Sequence, residues 1–297
     1  MGRALAALLN PVSEAIAEHV RGGDALHADD TPVPVLDPGR GKTKTGRLWV
    51  AVRDERPWNS GGPPAVFYRY SPDRKAERVE SLLQGCHGYL HADGYAGFNT
   101  LYETNVITGT ARMMEVACWA HVRRKIFEVH VATGSAAAQD LLERMAALFR
   151  IEADIRGKPP EERRATRAKY AVPLLIELKA AMETALERGS KKTALSQALR
   201  YALTRWPALT RYTEDGRLDM TNNAAERAIR PIAVGRKNWI FAGSDEGGRR
   251  AAVMYTLIET AKLNGIDPEA YLRSVIARIA AHPMRRLHEL LPWNITL

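Results

Sequence analysis

Twice in this sequence a histidine is followed two residues later by an aspartate in the same short context: Leu26-His27-Ala28-Asp29 and Leu90-His91-Ala92-Asp93. A third acid, Glu226, stands in a basic neighbourhood supplied by Arg227, Arg230, Arg236 and Lys237. Carboxylates gathered at one point repel unless a cation neutralises them, and all-oxygen donors select Mg²⁺ or Mn²⁺ over zinc. Two such ions about 3.5 to 4 Å apart could activate a water or a 3′-hydroxyl on one side of a phosphodiester and steady the leaving oxygen on the other. The neighbouring Arg and Lys would hold a DNA backbone. Spacing alone is thin support, because most of the 34 Asp and Glu in such a chain are surface charges.

The elements that must carry these acids are legible in the periodicity. Residues 1–25 read as a helical remnant that gives way at Leu26 to an extended pattern. LHADDTPVPVL, RLWVAVRD and AVFYRY, separated by turns rich in Gly or Pro, predict an antiparallel meander of three strands. A helix follows, capped by Ser71 or Asp73, with Val79, Leu82 and Leu83 apolar and Gly85 as its stop. GYLHAD is a fourth strand, GYAGFNTLYE a short helix or turn, and a fifth strand falls within NVITGTARMMEVACW. Each aspartate of the echo shares a strand face with its histidine. Asp30 competes with Asp29, but consecutive strand residues face opposite ways, so only one can share a site with Asp93; Asp29 is taken.

From about Ala120 to Leu218 apolar residues recur at three- and four-residue steps, which predicts an all-α block. Its charge runs, EERRATRAK among them, read as solvated helix faces. TNNAAERAIRP is a short helix with Asn222 or Asn223 as N-cap and Pro231 at its end. Further helices span about Gly248 to Leu263 and Pro268 to Ala281. The order describes an α/β protein with a ribonuclease H-like mixed sheet over 26–119 and 219–264. An all-α insertion over 120–218 precedes the last catalytic helix, and a helical tail covers 265–297. In that fold the first and fourth strands are parallel neighbours, which would bring Asp29 and Asp93 together.

Bulk composition narrows the function classes. Lys and Arg number 43, so the formal charge is +9 and a polyanionic partner such as nucleic acid is favoured. Cys86 and Cys118 lie far apart without C-x-x-C spacing, which gives neither a disulfide framework nor a four-ligand zinc site; both read as small buried hydrophobes. No stretch approaches the ~20 apolar residues of a membrane span, and a reducing cytoplasmic setting is the expectation.

HADDTPVPVLDPGRGKTKTGRLWVAVRD, LHADGYAGFNTLYE, CWAHVRRKIFE, the long segment from GRLDMTNNAAERAIRP to GSDEGGRRAA, and the ending LLPWN together resemble the DDE transposases of the bacterial insertion sequence 66 family. The resemblance runs from Leu26 to the end of the chain. It implies catalytic, metal-holding roles for Asp29, Asp93 and Glu226, with Asp30 standing where the family usually has glutamate. Cys118 and His121 of CWAH match a Cys-x-x-His signature found after the second aspartate in several transposase groups. They either shape the site, together with Asn222 and Asn223, or are a structural cysteine and a satisfied histidine. Arg123, Arg124, Arg227, Arg230, Arg236 and Lys237 are the expected DNA contacts. Trp239 would stack on a displaced base or belong to the core.

The resemblance further implies double-stranded DNA as partner, both transposon ends and target, with Mg²⁺ as cofactor and Mn²⁺ as substitute. Assembly as a homo-oligomer on DNA is expected, with accessory proteins of the same element as further partners. The family's upstream leucine-zipper-like, zinc-binding and DNA-binding regions have no counterpart in the 25 residues before the first strand, so the chain reads as a catalytic and C-terminal part. The leading expectation is cleavage of DNA at element ends and joining to a target. The alternatives are a silent DNA-binding remnant and a stand-alone nuclease of the same fold.

Overall fold

A computed structural model describes residues 2–39, 41–104, 109–190, 192–239 and 241–296. Strands β1 (Ala25–Asp37), β2 (Lys42–Arg53), β3 (Ala65–Ser71), β4 (Gly88–Ala92) and β5 (Met113–Ala117) form one mixed sheet in the order β3-β2-β1-β4-β5. The first three are the expected antiparallel meander, and β4 and β5 run parallel to β1. Part of the segment read as holding the fifth strand, 105–108, lies outside the described residues.

Alternation sorts the side chains between the two faces of the sheet. Trp49, Ala51, Ala65 and Phe67 enter one core together with Leu26, Ala28, Leu90 and Ala92. Leu48, Val50, Val52, Val66 and Tyr68 enter a core on the opposite face, which β1 joins through Val33 and Val35. At the start of β4, Gly88 takes φ +85°, and a Cβ there would come within 2.3 Å of the Asp24 carbonyl. That carbonyl accepts the Tyr89 amide at 2.7 Å, which fixes where β4 enters the sheet beside β1.

Helix α1 (Gly2–Arg21) lays Leu9, Val12, Ile16 and Val20 on the first face and continues through Pro11 at the cost of one intrahelical hydrogen bond. Helices α2 (Ala76–Leu82) and α3 (Asn99–Tyr102) are short. Neither residue expected to cap α2 does so. The Ser71 hydroxyl accepts from the Trp49 indole and donates to the Asp73 carbonyl, while the Asp73 side chain takes the Lys75 amide and the Arg78 guanidinium.

The helical block contains α4 (Trp119–Thr133), α5 (Ala136–Asp154), α6 (Pro160–Thr166), α7 (Val172–Arg188), α8 (Ala194–Thr204) and α9 (Trp206–Thr210). These surround a separate core built on Trp119, Ile126, Met145, Leu178, Leu199 and Tyr212. The EERRATRAK run corrects the reading of a solvated face, because it buries Arg163 and Arg167. Arg167 grips Glu152 through Nε and Nη2 and donates to the carbonyls of Tyr212, Asp215 and Leu218. Arg163 donates to the Leu218 carbonyl and to Asp219. Two buried guanidiniums therefore shape the segment that returns the chain to the sheet.

Helices α10 (Asn223–Gly235), α11 (Asp245–Leu263) and α12 (Pro268–Ile279) follow. Helix α10 does not stop at Pro231, as the sequence suggested, but runs on to Gly235. Pro231 removes the amide that the Arg227 carbonyl would have accepted, yet the next residue, Ile232, is fully buried against the sheet and rewards continuation. Helix α11 covers the open edge of β3. Thr260 accepts the Val66 amide at 3.2 Å and donates to the Val66 carbonyl at 3.0 Å, and Thr256 accepts the Tyr68 amide at 3.0 Å.

Removing the Thr260 hydroxyl while keeping its shape strands both β3 groups in a buried place. Thr260→Val is therefore expected to destabilise the protein by about 1–3 kcal/mol, read as a lower urea midpoint with an unchanged slope. An unaltered midpoint would show that the hydroxyl does not anchor this edge.

Candidate active site

Beta1 and β4 pair in parallel with Leu26 opposite Leu90 and His27 opposite His91, so the repeated tetrapeptides lie in register. The two imidazoles are buried and stacked, with ring centroids 4.1 Å apart and planes at 14°. Burial, and then the neighbouring His27, push His91 down to about 3, and burial also lowers His27. Both rings are thus neutral at ordinary pH. His91 shares Nδ1 with the Leu26 carbonyl at 3.1 Å, and its Nε2 accepts the Asp219 amide at 3.0 Å. His27 Nδ1 meets Asn222 Oδ1 at 3.2 Å, while Asn222 Nδ2 donates to the Ala28 carbonyl at 2.9 Å. The Asn222 amide in turn reaches Cys118 Sγ at 3.2 Å.

These contacts tie the return segment to both strands immediately before α10. Asn222 occupies the N-cap position of α10 but makes no capping bond; its side chain bridges the chain back to β1 instead. Asn223, the other expected cap, is exposed on the first turn.

Glu226 sits in the first turn of α10 and Asp93 immediately after β4, both partly exposed, while Asp29 lies on β1. Asp29 is pushed up to about 7, first by burial and then by the charges of Asp93, Asp30 and Glu226; its bond from the Asp30 amide, at 2.8 Å, opposes this only in part. The three predicted acids thus share one electrostatic site. Asp30 turns to the other face as alternation requires. Its carboxylate is almost fully buried and neutralised by Arg47 at 2.9 Å and Arg74 at 2.8 Å. Arg74 also approaches Asp93 to 3.9 Å, and Asp93 accepts the Tyr95 amide at 3.1 Å. Glu226 lies 3.7 Å from His121 Nε2 and 3.7 Å from Arg124 Nη2. Among the described residues, its Oε1 and His121 Nδ1 are buried without a hydrogen-bond partner.

The basic residues divide. Arg123, Arg124, Arg227, Arg230 and Lys237 are exposed, whereas Arg236 donates to the Pro32 carbonyl. Trp239 is half-buried and packs with Tyr255 beside the second sheet core. Cys118 is buried at the N-cap of α4, with His121 one turn on. Sequence reasoning missed Arg74, Asp219, Arg163 and Arg167. The repeated Leu-His-Ala-Asp was a signal for the histidine pair, but nothing local marks an arginine that will be buried across the fold.

The molecule is an α/β protein in which three carboxylates, one within β1, one just after β4 and one in the first turn of α10, act on one another electrostatically. The profile of the transposase IS66 family matches residues 1–250, and that of the IS66 C-terminal element matches residues 256–293. The chain belongs to the IS66 transposase family. It is 40% identical to uncharacterized protein y4qI of Sinorhizobium fredii over 96% of its length and 53% of that protein's. Uncharacterized protein y4hP of the same organism is 40% identical over 99% of this chain and 54% of its own length. The chain spans about half the length of these relatives. No solved structure matches it.

Asp29 carries a sign-specific pH dependence. Its ordinary value of 3.8 rises to about 7 in the folded state, so between these values the metal-free folded chain keeps a proton that the unfolded chain has lost. The stability it contributes is full below about pH 4 and is lost as pH rises toward about 7. Asp29→Asn fixes the neutral form and is expected to gain on the parent by up to about 1.4 kcal/mol per pH unit across that window, measured by urea unfolding in chelator. A gap between the two proteins that is flat or narrows with rising pH contradicts the assignment.

Proposed function

We propose that the chain is the catalytic part of a transposase that cuts DNA at element ends and joins the freed 3′-hydroxyls to a target. The observation that carries this reading is the convergence of Asp29, Asp93 and Glu226 on one site in a member of the IS66 transposase family. The strand order β3-β2-β1-β4-β5 with only β2 antiparallel supports a ribonuclease H-like sheet, interrupted by the helical block before α10.

The donor set fits Mg²⁺, with Mn²⁺ as substitute. It consists of carboxylate oxygens, one of them buried without a partner, and the charges acting most on Asp29 are acidic. Asp29, Asp93 and Glu226 would hold the ion, which when bound supplies charge neutralisation and activation of the attacking hydroxyl. To serve as a ligand Asp29 would have to give up the proton it holds to about pH 7. Arg74 keeps Asp30 and Asp93 in place from the opposite side. Arg123, Arg124, Arg227, Arg230 and Lys237 are exposed and would meet the phosphates of double-stranded DNA, with Arg124 standing 3.7 Å from Glu226. Trp239, packed against the sheet, is assigned to the core. A homo-oligomer on DNA follows from the chemistry, since joining two ends calls for two sites.

The test is strand joining on pre-nicked ends of the encoding element with Mg²⁺. Asp93→Asn and Glu226→Gln are each expected to lower joining by about 10²-fold or more while leaving DNA binding intact. Equal joining by parent and variants would sink the proposal. Hydrolysis without joined product would instead mark a nuclease, and salt-sensitive binding without any product a DNA-binding remnant.

A further inference from the structure

Cys118, His121 and Glu226 meet where β5 passes into α4 and α10 begins. One ligand atom from each, a sulfur, an imidazole nitrogen and a carboxylate oxygen, lie within 4.8 Å of one another. His121 Nε2 and Glu226 Oε1, at 3.7 Å, are too far apart to hydrogen-bond. Glu226 Oε1 and His121 Nδ1 are both buried without a partner, a costly arrangement on adjacent side chains. Arg124 approaches the other oxygen, Oε2, and leaves Oε1 facing the histidine. We propose that Cys118, His121 and Glu226 bind a borderline divalent cation of the Zn²⁺ class, at the wall between the helical block and the carboxylate site.

The donor chemistry selects the ion. A thiolate and an imidazole favour zinc-like ions over Mg²⁺, in contrast to the all-oxygen set of Asp29, Asp93 and Glu226. Cys118 stands at the N-cap of a 15-residue helix and receives the Asn222 amide at 3.2 Å, two features that favour the thiolate a metal requires. His121 and Glu226 keep side-chain exposures of 23% and 29%, which leave a route for entry. Three protein ligands leave a coordination position open. The bound ion would fasten α4 to α10 and so set the orientation of Glu226. The inference does not depend on strand joining, although Glu226 serves both sites.

Cadmium titration of the metal-free protein tests it, because a thiolate ligand gives a near-ultraviolet charge-transfer band that carboxylates do not. The parent is expected to gain this band to an endpoint of one equivalent and to lose it on addition of zinc. Cys86→Ser removes the other cysteine and should keep the band, as should Asp93→Asn, which loses joining. Cys118→Ser should abolish it and His121→Ala should weaken binding by about 10-fold or more, with far-ultraviolet circular dichroism confirming that both remain folded. Absence of the band in the parent, or its survival in Cys118→Ser, overturns the proposal. A band in a parent that joins no DNA overturns only the functional reading above.

Discussion

The stacked pair of His27 and His91 is the contact on which the site's geometry rests. Two imidazoles 4.1 Å apart in a buried layer are tolerated only when both are neutral, and burial enforces that state. Their nitrogens do not serve the sheet alone. One reaches Asn222 and the other takes the Asp219 amide, so a contact between strands β1 and β4 also sets where a segment from the far end of the chain must lie. Arg163 and Arg167 press the same segment from the side of the helical block. Glu226, four residues beyond Asn222, inherits its position from both.

That arrangement concentrates negative charge and resolves it unequally. Asp30 meets two arginines and Asp93 has Arg74 nearby, while Glu226 has Arg124 and His121 at its margin. Asp29 is left with burial and acidic neighbours, and it keeps its proton to about pH 7. A site held this way by the fold is stable without an ion only by protonation. Charge compensation by a divalent cation would be the other route, and it is the one on which the proposed function rests.

Local pattern made the strands, most helix positions and the opposite facing of Asp29 and Asp30 legible, because period-two alternation and apolar spacing are properties of short windows. The echo of Leu-His-Ala-Asp was visible, but its meaning as an in-register pair depended on β4 lying beside β1, a long-range fact. The same reason explains the misreadings. Asn222 looks like a helix cap, yet its side chain is drawn to His27 and Ala28, nearly two hundred residues away in sequence. Pro231 looks like a stop, yet the burial of Ile232 carries the helix past it. Arg163 and Arg167 look like solvent-facing charges, and only the enclosed carbonyls of the return segment reveal them as buried struts.

The central claim is that Asp29, Asp93 and Glu226 surround one cation. Replacing Mg²⁺ by Fe²⁺ and generating hydroxyl radicals at the bound ion cuts the polypeptide next to its ligands, and the cuts can be mapped by mass spectrometry. The account predicts cleavage in three windows, around residues 29, 93 and 226, all suppressed together by excess Mg²⁺ and all lost in Asp29→Asn. Cuts confined to one window, or scattered cuts indifferent to Mg²⁺, would contradict it.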